Sequence, residues 1–325
     1  MYEQIARNKR RTVVCIVIFF ILWMGIGAIL GAIVGSSGTT TTTYDSFGQP
    51  VTTTGPSHVA TGVIGGMLVF GVLAGLGTLY ALSSGSKLVL SVSGAKPADP
   101  ERYRELHNIV EALAIGDGLP KPDVYVIDDP SPNAFATGTS PSRAAVTATT
   151  GLLEMMDREE LEGVIAHEMS HIKNYDVRLL VIVSTLIGMA GLLASLLWRS
   201  SFYVRPRGKD GEQFAILVFV AGTLLAIVGF LVGPLIRFAL SRRRESLADV
   251  SSVELTRNPA GLLRALRKLE ANDVPFAQFN HATAAMCIDD PLQHHASRFH
   301  HLFDTHPPLS ERIAVLERIA QGETV

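Results

Sequence analysis

Apolar residues are concentrated in four long stretches of this chain, and these stretches are almost free of charged residues. The polar segments between them show apolar positions that recur with helical or strand spacing. A helix rises 1.5 Å per residue, so ~20 residues cross the hydrocarbon core of a bilayer. The stretches therefore predict four transmembrane helices, whose bounds we place at residues 13–34, 59–82, 177–198 and 214–236.

Two alternatives to this topology are open. The first stretch follows a basic segment, as in a signal peptide, but it is longer than the ~7–15 residues of a signal-peptide core. Residues 177–236 could form a re-entrant or peripheral hairpin instead of a crossing pair. The reason is the loop at 199–213, which is rich in Arg and Lys, because basic loops favour the cytoplasmic side.

The distribution of charge predicts which segments face the cytoplasm. Residues 1–12 carry four basic side chains and one acid, whereas residues 35–58 are rich in Thr, Ser and Gly and contain no Lys or Arg. The positive-inside rule then places residues 1–12, 83–176 and 237–325 in the cytoplasm and makes 35–58 an external loop. The composition of that loop cannot bury a core, so we predict a flexible segment there.

The polar segments predict a smaller part of mixed helix and strand. Strands are expected where short β-branched runs lie between turn residues, and helices where apolar positions follow a period of 3.6. The predicted strands are Asp123–Ile127, Asn133–Gly138 and Ala144–Thr149, and the predicted helices are 100–116, 260–271 and 310–321, the last with Ser310 as its N-cap. The fold class is therefore mainly α: a polytopic membrane protein with an α+β domain that carries a small sheet.

Composition agrees with a membrane protein and narrows the partners. The hydrophobic fraction is 47% and the charged fraction 18%, both shifted toward membrane proteins. A formal net charge of −2 gives no electrostatic reason to expect a nucleic acid partner. Cys15 lies inside an apolar stretch and Cys287 is far from it in the sequence, so a disulfide framework is not expected.

The chemistry is concentrated in the sequence HEMSH at residues 167–171. Apolar residues at 161, 164, 165, 169 and 172 keep a helical period, so the motif lies on a helix. His167 and His171 then lie one turn apart on one face, where both imidazoles can bind one tetrahedral zinc ion. Glu168, between them, can take a proton from the attacking water. The alternative is a pair of histidines on the surface or in the core.

A zinc hydrolase site needs a third protein ligand from another element. The best candidate is Glu245, which follows the last apolar stretch within the sequence RRRESLAD. Asp249 lies one turn later and could hold the outer nitrogen of a zinc-bound imidazole. The alternatives are that Glu245 pairs with Arg242 or Arg244 and that Asp249 is an ordinary solvated acid.

The chain resembles the HtpX-like membrane zinc endopeptidases, which are related to the CAAX prenyl proteases. Four sequences carry the resemblance in the family's order: NAFATG at 133–138, HEMSHIKNYD at 167–176, RRRESLAD at 242–249 and HPPLSERI at 306–313. It spans nearly the whole chain apart from the Thr-rich loop. It implies a zincin-like metallopeptidase domain with one zinc ion per chain.

The resemblance also implies a role for each matching residue. It gives His167, His171 and Glu245 as zinc ligands, Glu168 as general base and Asp249 as the residue that holds a zinc-bound imidazole. It makes residues 133–138 the edge of the active-site sheet, where Asn133, Ala134, Phe135 and Ala136 would bind an extended substrate backbone. His306 would help to hold the developing oxyanion, and Arg312 would be structural.

The function that the resemblance implies is hydrolysis of misfolded or damaged membrane proteins at the cell membrane, with the site facing the cytoplasm. Expected partners are unfolded or membrane protein substrates and the lipid bilayer. The alternatives are a selective processing peptidase of the prenyl protease type and a catalytically silent zinc-binding scaffold. A transporter fits less well, because the apolar stretches lack the charges that ion pathways need. The histidines at 294, 295, 300 and 301 are interpreted as solvated loop residues.

Overall fold

The computed structural model describes residues 2–36, 40–54, 58–203, 215–227, 242–272 and 308–323. Its helices and strands follow in this order: α1 (Tyr2–Ser36), β1 (Thr40–Tyr44), β2 (Pro50–Thr54), α2 (Val59–Val92), β3 (Lys96–Pro97), α3 (Arg104–Asp117), β4 (Asp123–Ile127), β5 (Ala134–Gly138), β6 (Ala144–Thr149), α4 (Thr150–Met155), α5 (Arg158–Lys173), α6 (Asp176–Tyr203), α7 (Ala215–Ile227), α8 (Arg242–Thr256), α9 (Pro259–Glu270) and α10 (Leu309–Ala320).

The chain divides into two compact units. One, which we call the motif unit because it contains HEMSH, consists of Met1–Val13, Tyr80–Thr185 and Gly233–Val325. The other, the apolar unit, consists of Val14–Leu79 and Leu186–Val232. Helices α1, α2 and α6 each contribute residues to both units.

Three of the described helices are long and apolar enough to span a membrane. These segments are Ile5–Ser36, Val59–Val92 and Asp176–Ser200. They contain the first three predicted spans, and each extends beyond them. In the fourth predicted span the structure describes only α7, a shorter apolar helix, and the remainder of 214–236 lies outside the described residues.

Glycines bring α1 and α2 together in the apolar unit. A Cβ atom added to Gly31 would overlap the backbone of Gly62, and one added to Gly27 would overlap the backbone of Gly66. Small residues at this spacing allow two helix backbones to approach closely in lipid. Elsewhere the same helices leave large apolar side chains exposed, such as Ile21, as is typical of a lipid-facing surface.

The Thr-rich loop is partly structured. Strands β1 and β2 form an antiparallel hairpin in which Thr40 pairs with Thr54 and Tyr44 with Pro50. Our prediction of a flexible segment is therefore wrong for these strands. Threonine is β-branched and favours extended backbone even where no core can form, so strand propensity outweighs the low apolar content here.

The motif unit contains a four-stranded sheet in the order β3-β4-β6-β5. Strands β4 and β6 are parallel, and β5 pairs with β6 in the antiparallel sense, with Ala136 opposite Val146. The three predicted strands correspond to β4, β5 and β6. Strand β5 is at one edge of the sheet, which is the position that the resemblance implied for residues 133–138.

Helix α5 is the centre of the motif unit. Its N-terminus is fixed by a capping box, in which the Asp157 side chain accepts a hydrogen bond from the Glu160 backbone and the Glu160 side chain accepts one from the Asp157 backbone. At Gly163 the α9 backbone comes so close that an added Cβ would lie 2.6 Å from the Leu262 nitrogen. Ser252 of α8 donates a hydrogen bond to the Gly163 carbonyl at 2.8 Å. Helices α8 and α9 are thereby held against α5.

The last helix begins one residue earlier than predicted. Helix α10 starts at Leu309 with Pro308 as its N-cap residue, so the prediction of Ser310 as the cap is wrong. Leu309, Ile313 and Leu316 are buried and belong to the core of the motif unit. Arg312, on the same helix, is also buried, and it lies at the site described next.

Candidate metal centre and active site

Three side chains from two helices meet at one buried point. His167 and His171 of α5 and Glu245 of α8 each offer a ligand atom, and these atoms lie within 4.8 Å of one another. The Nε2 atoms of the two histidines are 3.2 Å apart. The Glu245 oxygens lie 3.5 Å from Nε2 of His167 and 3.6 Å from Nε2 of His171.

These distances fit a single tetrahedral ion. Ligand atoms bound to zinc at ~2.05 Å with tetrahedral angles are separated by about 3.3 Å. The observed spacings of 3.2, 3.5 and 3.6 Å lie close to that value. Two imidazoles and a carboxylate are also a donor set that zinc binds in hydrolases. The residues present therefore fit a zinc ion.

The outer nitrogen of His167 is held by a carboxylate and a guanidinium. Its Nδ1 lies 2.9 Å from Oδ1 of Asp249. Arg312 donates to both oxygens of Asp249, from Nη2 at 2.7 Å and from Nε at 3.1 Å. With its proton on Nδ1, the imidazole presents the lone pair of Nε2 to the shared point.

The outer nitrogen of His171 has a matching arrangement that sequence reasoning missed. Its Nδ1 lies 3.2 Å from Oδ2 of Asp176, and Arg244 donates from Nη1 to the other oxygen of Asp176 at 2.8 Å. Asp176 was noticed only as the last residue of HEMSHIKNYD. Arg244 was considered only as a partner for Glu245. The sequence did contain a signal for this contact, because Asp176 follows the candidate ligand His171 by five residues, with a turn between them.

The electrostatics of the cluster favour a bound cation. Burial and the Arg312 guanidinium lower the pKa of His167, but the carboxylates of Asp249 and Glu245 outweigh them and raise it to about 9. Burial also lowers the pKa of His171, and the carboxylates of Glu245 and Asp176 raise it above its ordinary value. Buried negative charge thus surrounds the two imidazoles, and a divalent cation would neutralise it.

Glu168 lies beside the edge strand of the sheet. It is buried, and its Oε2 accepts a hydrogen bond from the backbone N–H of Ala136 at 2.8 Å. This N–H belongs to β5 but donates to the carboxylate and not to β6. The sequence did not predict the contact, because it joins residues that are 32 positions apart.

Some of the other predicted residues belong to the part of the chain that the structure describes, and others lie outside it. Asn133 is buried, and its side chain accepts a hydrogen bond from the backbone of Ala134 at 2.9 Å. Ala134, Phe135 and Ala136 are buried in β5. Arg312 donates two hydrogen bonds to Asp249, and its structural role stays a prediction. His306, the histidines at 294–301 and Cys287 lie outside the described residues.

Comparison with known proteins gives the class of this protein. The sequence model of peptidase family M48 matches residues 100–320 of this chain. A curated protein named Protease HtpX homolog from Streptococcus mutans serotype c is 39% identical over 328 residues, covering 98% of this chain and 100% of the relative. A protein of the same name from Levilactobacillus brevis is 39% identical over 324 residues, with the same coverage. These matches, with the membrane-length helices and the small sheet, define a membrane metalloprotease.

The chain belongs to peptidase family M48. The predicted resemblance to HtpX-like proteases is confirmed, as are the enzyme class and the fold class. The crystal structure of S. mikatae Ste24p is 18% identical, with a TM-score of 0.45, and the match covers 78% of this chain and 58% of that one. This score is too low to carry an argument about the present chain.

Proposed function

We propose that this membrane metalloprotease is a zinc-dependent endopeptidase that degrades misfolded or damaged membrane proteins from the cytoplasmic side. The observation that carries the proposal is the spacing of 3.2 to 3.6 Å among the ligand atoms of His167, His171 and Glu245. Three protein ligands leave one coordination position open, as catalytic zinc sites require. A structural site, as in a silent scaffold, is usually closed by four.

The residues of the site have separate tasks in this mechanism. His167, His171 and Glu245 would hold the ion. When bound, zinc supplies Lewis acidity that lowers the pKa of a water toward ~7 and polarises a carbonyl. Glu168 accepts the proton of the attacking water and later donates it to the leaving amine. The N–H of Ala136 orients the Glu168 carboxylate for both transfers.

Substrate binding is proposed for the edge strand. An extended peptide can add to β5 through backbone hydrogen bonds, which need no particular side-chain sequence. That mode suits unfolded segments of many proteins. Asn133, Ala134, Phe135 and Ala136 would form the binding edge. His306 is proposed to stabilise the developing oxyanion.

The cytoplasmic orientation rests on charge. Residues 1–12 are basic, and residues 35–58 lack Lys and Arg, so the motif unit is expected on the cytoplasmic side. Labelling of single cysteines introduced at Asp45 and Glu154 with an impermeant reagent in intact cells tests this placement. We expect labelling at Asp45 alone. Labelling of the cysteine at position 154 would instead indicate that the motif unit faces the outside of the cell.

The function is tested by a paired assay on the full-length protein in detergent. Wild type, Glu168→Gln and the same-helix control Glu162→Gln are stripped with chelator, reloaded with zinc and assayed for bound metal and for cleavage of an unfolded protein. We expect all three to bind zinc and only Glu168→Gln to lose cleavage. Cleavage by Glu168→Gln would exclude Glu168 as the base.

The cleavage map from the same assay tests the substrate class. Quality-control proteolysis should give scattered cleavage sites in several unfolded membrane proteins. A single site in a single substrate would instead indicate selective processing.

A further inference from the structure

The first helix reaches the metal centre through one buried amide. We propose that Asn8 is a positioning residue for His171, acting through Asp176, so that α1 forms part of the metal centre. This inference rests on the proposed zinc site. It concerns residues of the motif unit only, because that unit contains Met1–Val13 together with α5 and the start of α6.

Asn8 makes two hydrogen bonds to the turn that follows His171. It is 3% exposed. Its Nδ2 donates to Oδ1 of Asp176 at 2.6 Å and to the carbonyl oxygen of Asn174 at 2.9 Å. The other oxygen of Asp176 is the one that lies 3.2 Å from Nδ1 of His171. A side chain 168 positions earlier in the sequence therefore fixes the carboxylate that holds a metal ligand.

The turn has a conformation that needs external support. Tyr175 has a φ of 60°, a left-handed conformation that residues other than glycine rarely adopt. This conformation lets the chain leave α5 and bring Asp176 back to His171. Besides Asn8, the adjacent Lys9 contacts the turn, with its Nζ 4.5 Å from the centre of the Tyr175 ring. Helix α1 thus contacts three consecutive residues of this turn.

The carboxylates that contact His167 and His171 are held in different ways, and the difference shows what Asn8 supplies. Beside His167, Arg312 donates hydrogen bonds to both oxygens of Asp249. Beside His171, Arg244 donates from Nη1 to a single oxygen of Asp176, Oδ1.

Arg244 and Asn8 donate to the same oxygen, Oδ1 of Asp176, and this leaves Oδ2 to face Nδ1 of His171. Asn8 thus adds a second hydrogen bond to the charged Oδ1 atom, which fixes its position more firmly than Arg244 alone would. Its loss should loosen Asp176 and, through it, the orientation of the His171 imidazole.

A purely structural role for Asn8 makes a different prediction. If Asn8 only satisfied the Asn174 carbonyl and packed α1, its loss would lower the stability of the metal-free protein and leave zinc affinity unchanged. A positioning role should change zinc affinity, and the change should depend on Asp176. Zinc affinity is therefore the deciding measurement.

The experiment is a double-mutant cycle on the full-length protein in detergent. Zinc dissociation constants are measured by chelator competition for wild type, Asn8→Ala, Asp176→Asn and the double variant. Arg7→Ala, at an exposed position one residue earlier, is the control. We expect Asp176→Asn to weaken zinc binding about 10- to 100-fold and Asn8→Ala about tenfold. The double variant should be no weaker than Asp176→Asn alone.

Zinc binding by Asn8→Ala equal to wild type, or additive effects in the double variant, would overturn the inference. Wild type that binds no zinc would overturn the proposed zinc site itself. If Asn8→Ala does not fold, Asn8→Ser replaces it, because its hydroxyl keeps one donor; we expect an intermediate affinity, and wild-type affinity would contradict us. A changed visible spectrum of the cobalt-loaded variant would support altered ligand geometry.

Discussion

Asp249 offers the sharpest test of how the centre is built. It is fully buried at 0% exposure, it lies 2.9 Å from Nδ1 of His167, and it receives two hydrogen bonds from Arg312. The substitution Asp249→Asn keeps the shape but removes the negative charge. We expect two separate effects, one on metal affinity and one on folding.

The two magnitudes follow from these contacts. Loss of the carboxylate that holds a metal-binding imidazole should weaken zinc about 10- to 100-fold, or about 1.4 to 2.8 kcal/mol. Loss of the counter-charge leaves the Arg312 guanidinium buried without its carboxylate partner. Breaking such a pair from one side costs about 3 to 5 kcal/mol of folding free energy.

The assay separates these effects with a second cycle. Denaturant unfolding of the metal-free protein and zinc competition are measured for Asp249→Asn, Arg312→Met and the double variant. The double variant should recover much of the lost folding stability, because it contains neither buried charge. Its zinc affinity should stay low. Stability losses that simply add would refute the argument that Asp249 and Arg312 compensate each other.

Three further predictions concern other parts of the molecule. Gly31→Leu should prevent close packing of α1 and α2 and lower the yield of folded protein, whereas Gly25→Leu should be tolerated because nothing lies within 4 Å of an added Cβ there; size-exclusion chromatography in detergent distinguishes them. Ala136→Pro removes the N–H that donates to Glu168 and should lower kcat about tenfold with zinc content unchanged. The control Ala136→Gly keeps this N–H, and its kcat should stay near that of wild type. Removal of metal by chelator should abolish cleavage and lower Tm, and zinc at 1,000 times its Kd should restore about 4 kcal/mol of stability; a chelated protein that still cleaves would contradict the metal mechanism.

The sequence was most informative where function depends on local spacing. The four-residue interval between His167 and His171 and the apolar period around it predict both the helix and the shared ligand face. Glu245 could be proposed because it follows the last apolar stretch directly. These signals lie within one or two turns of helix, where periodicity determines geometry.

Contacts between distant segments could not be predicted in this way. The bond between Asn8 and Asp176 depends on the left-handed backbone of Tyr175 and on how α1 packs. The bond between Ala136 and Glu168 depends on which strand is at the edge of the sheet, and edge order is a tertiary property. No local pattern encodes either of them. The Thr-rich hairpin was not predicted for a different reason, because its low apolar content was given more weight than the strand propensity of threonine.

The pairing of Asp249 and His167 with Arg312 also has a consequence for the time course of synthesis. Arg312 follows His167 by 145 positions. At about 5 to 20 residues per second, a ribosome needs roughly 7 to 29 s to add a segment of that length. During this interval the nascent chain already carries HEMSH but lacks the guanidinium that compensates Asp249. The full set of contacts around His167 and Asp249 can therefore form only after α10 has been made.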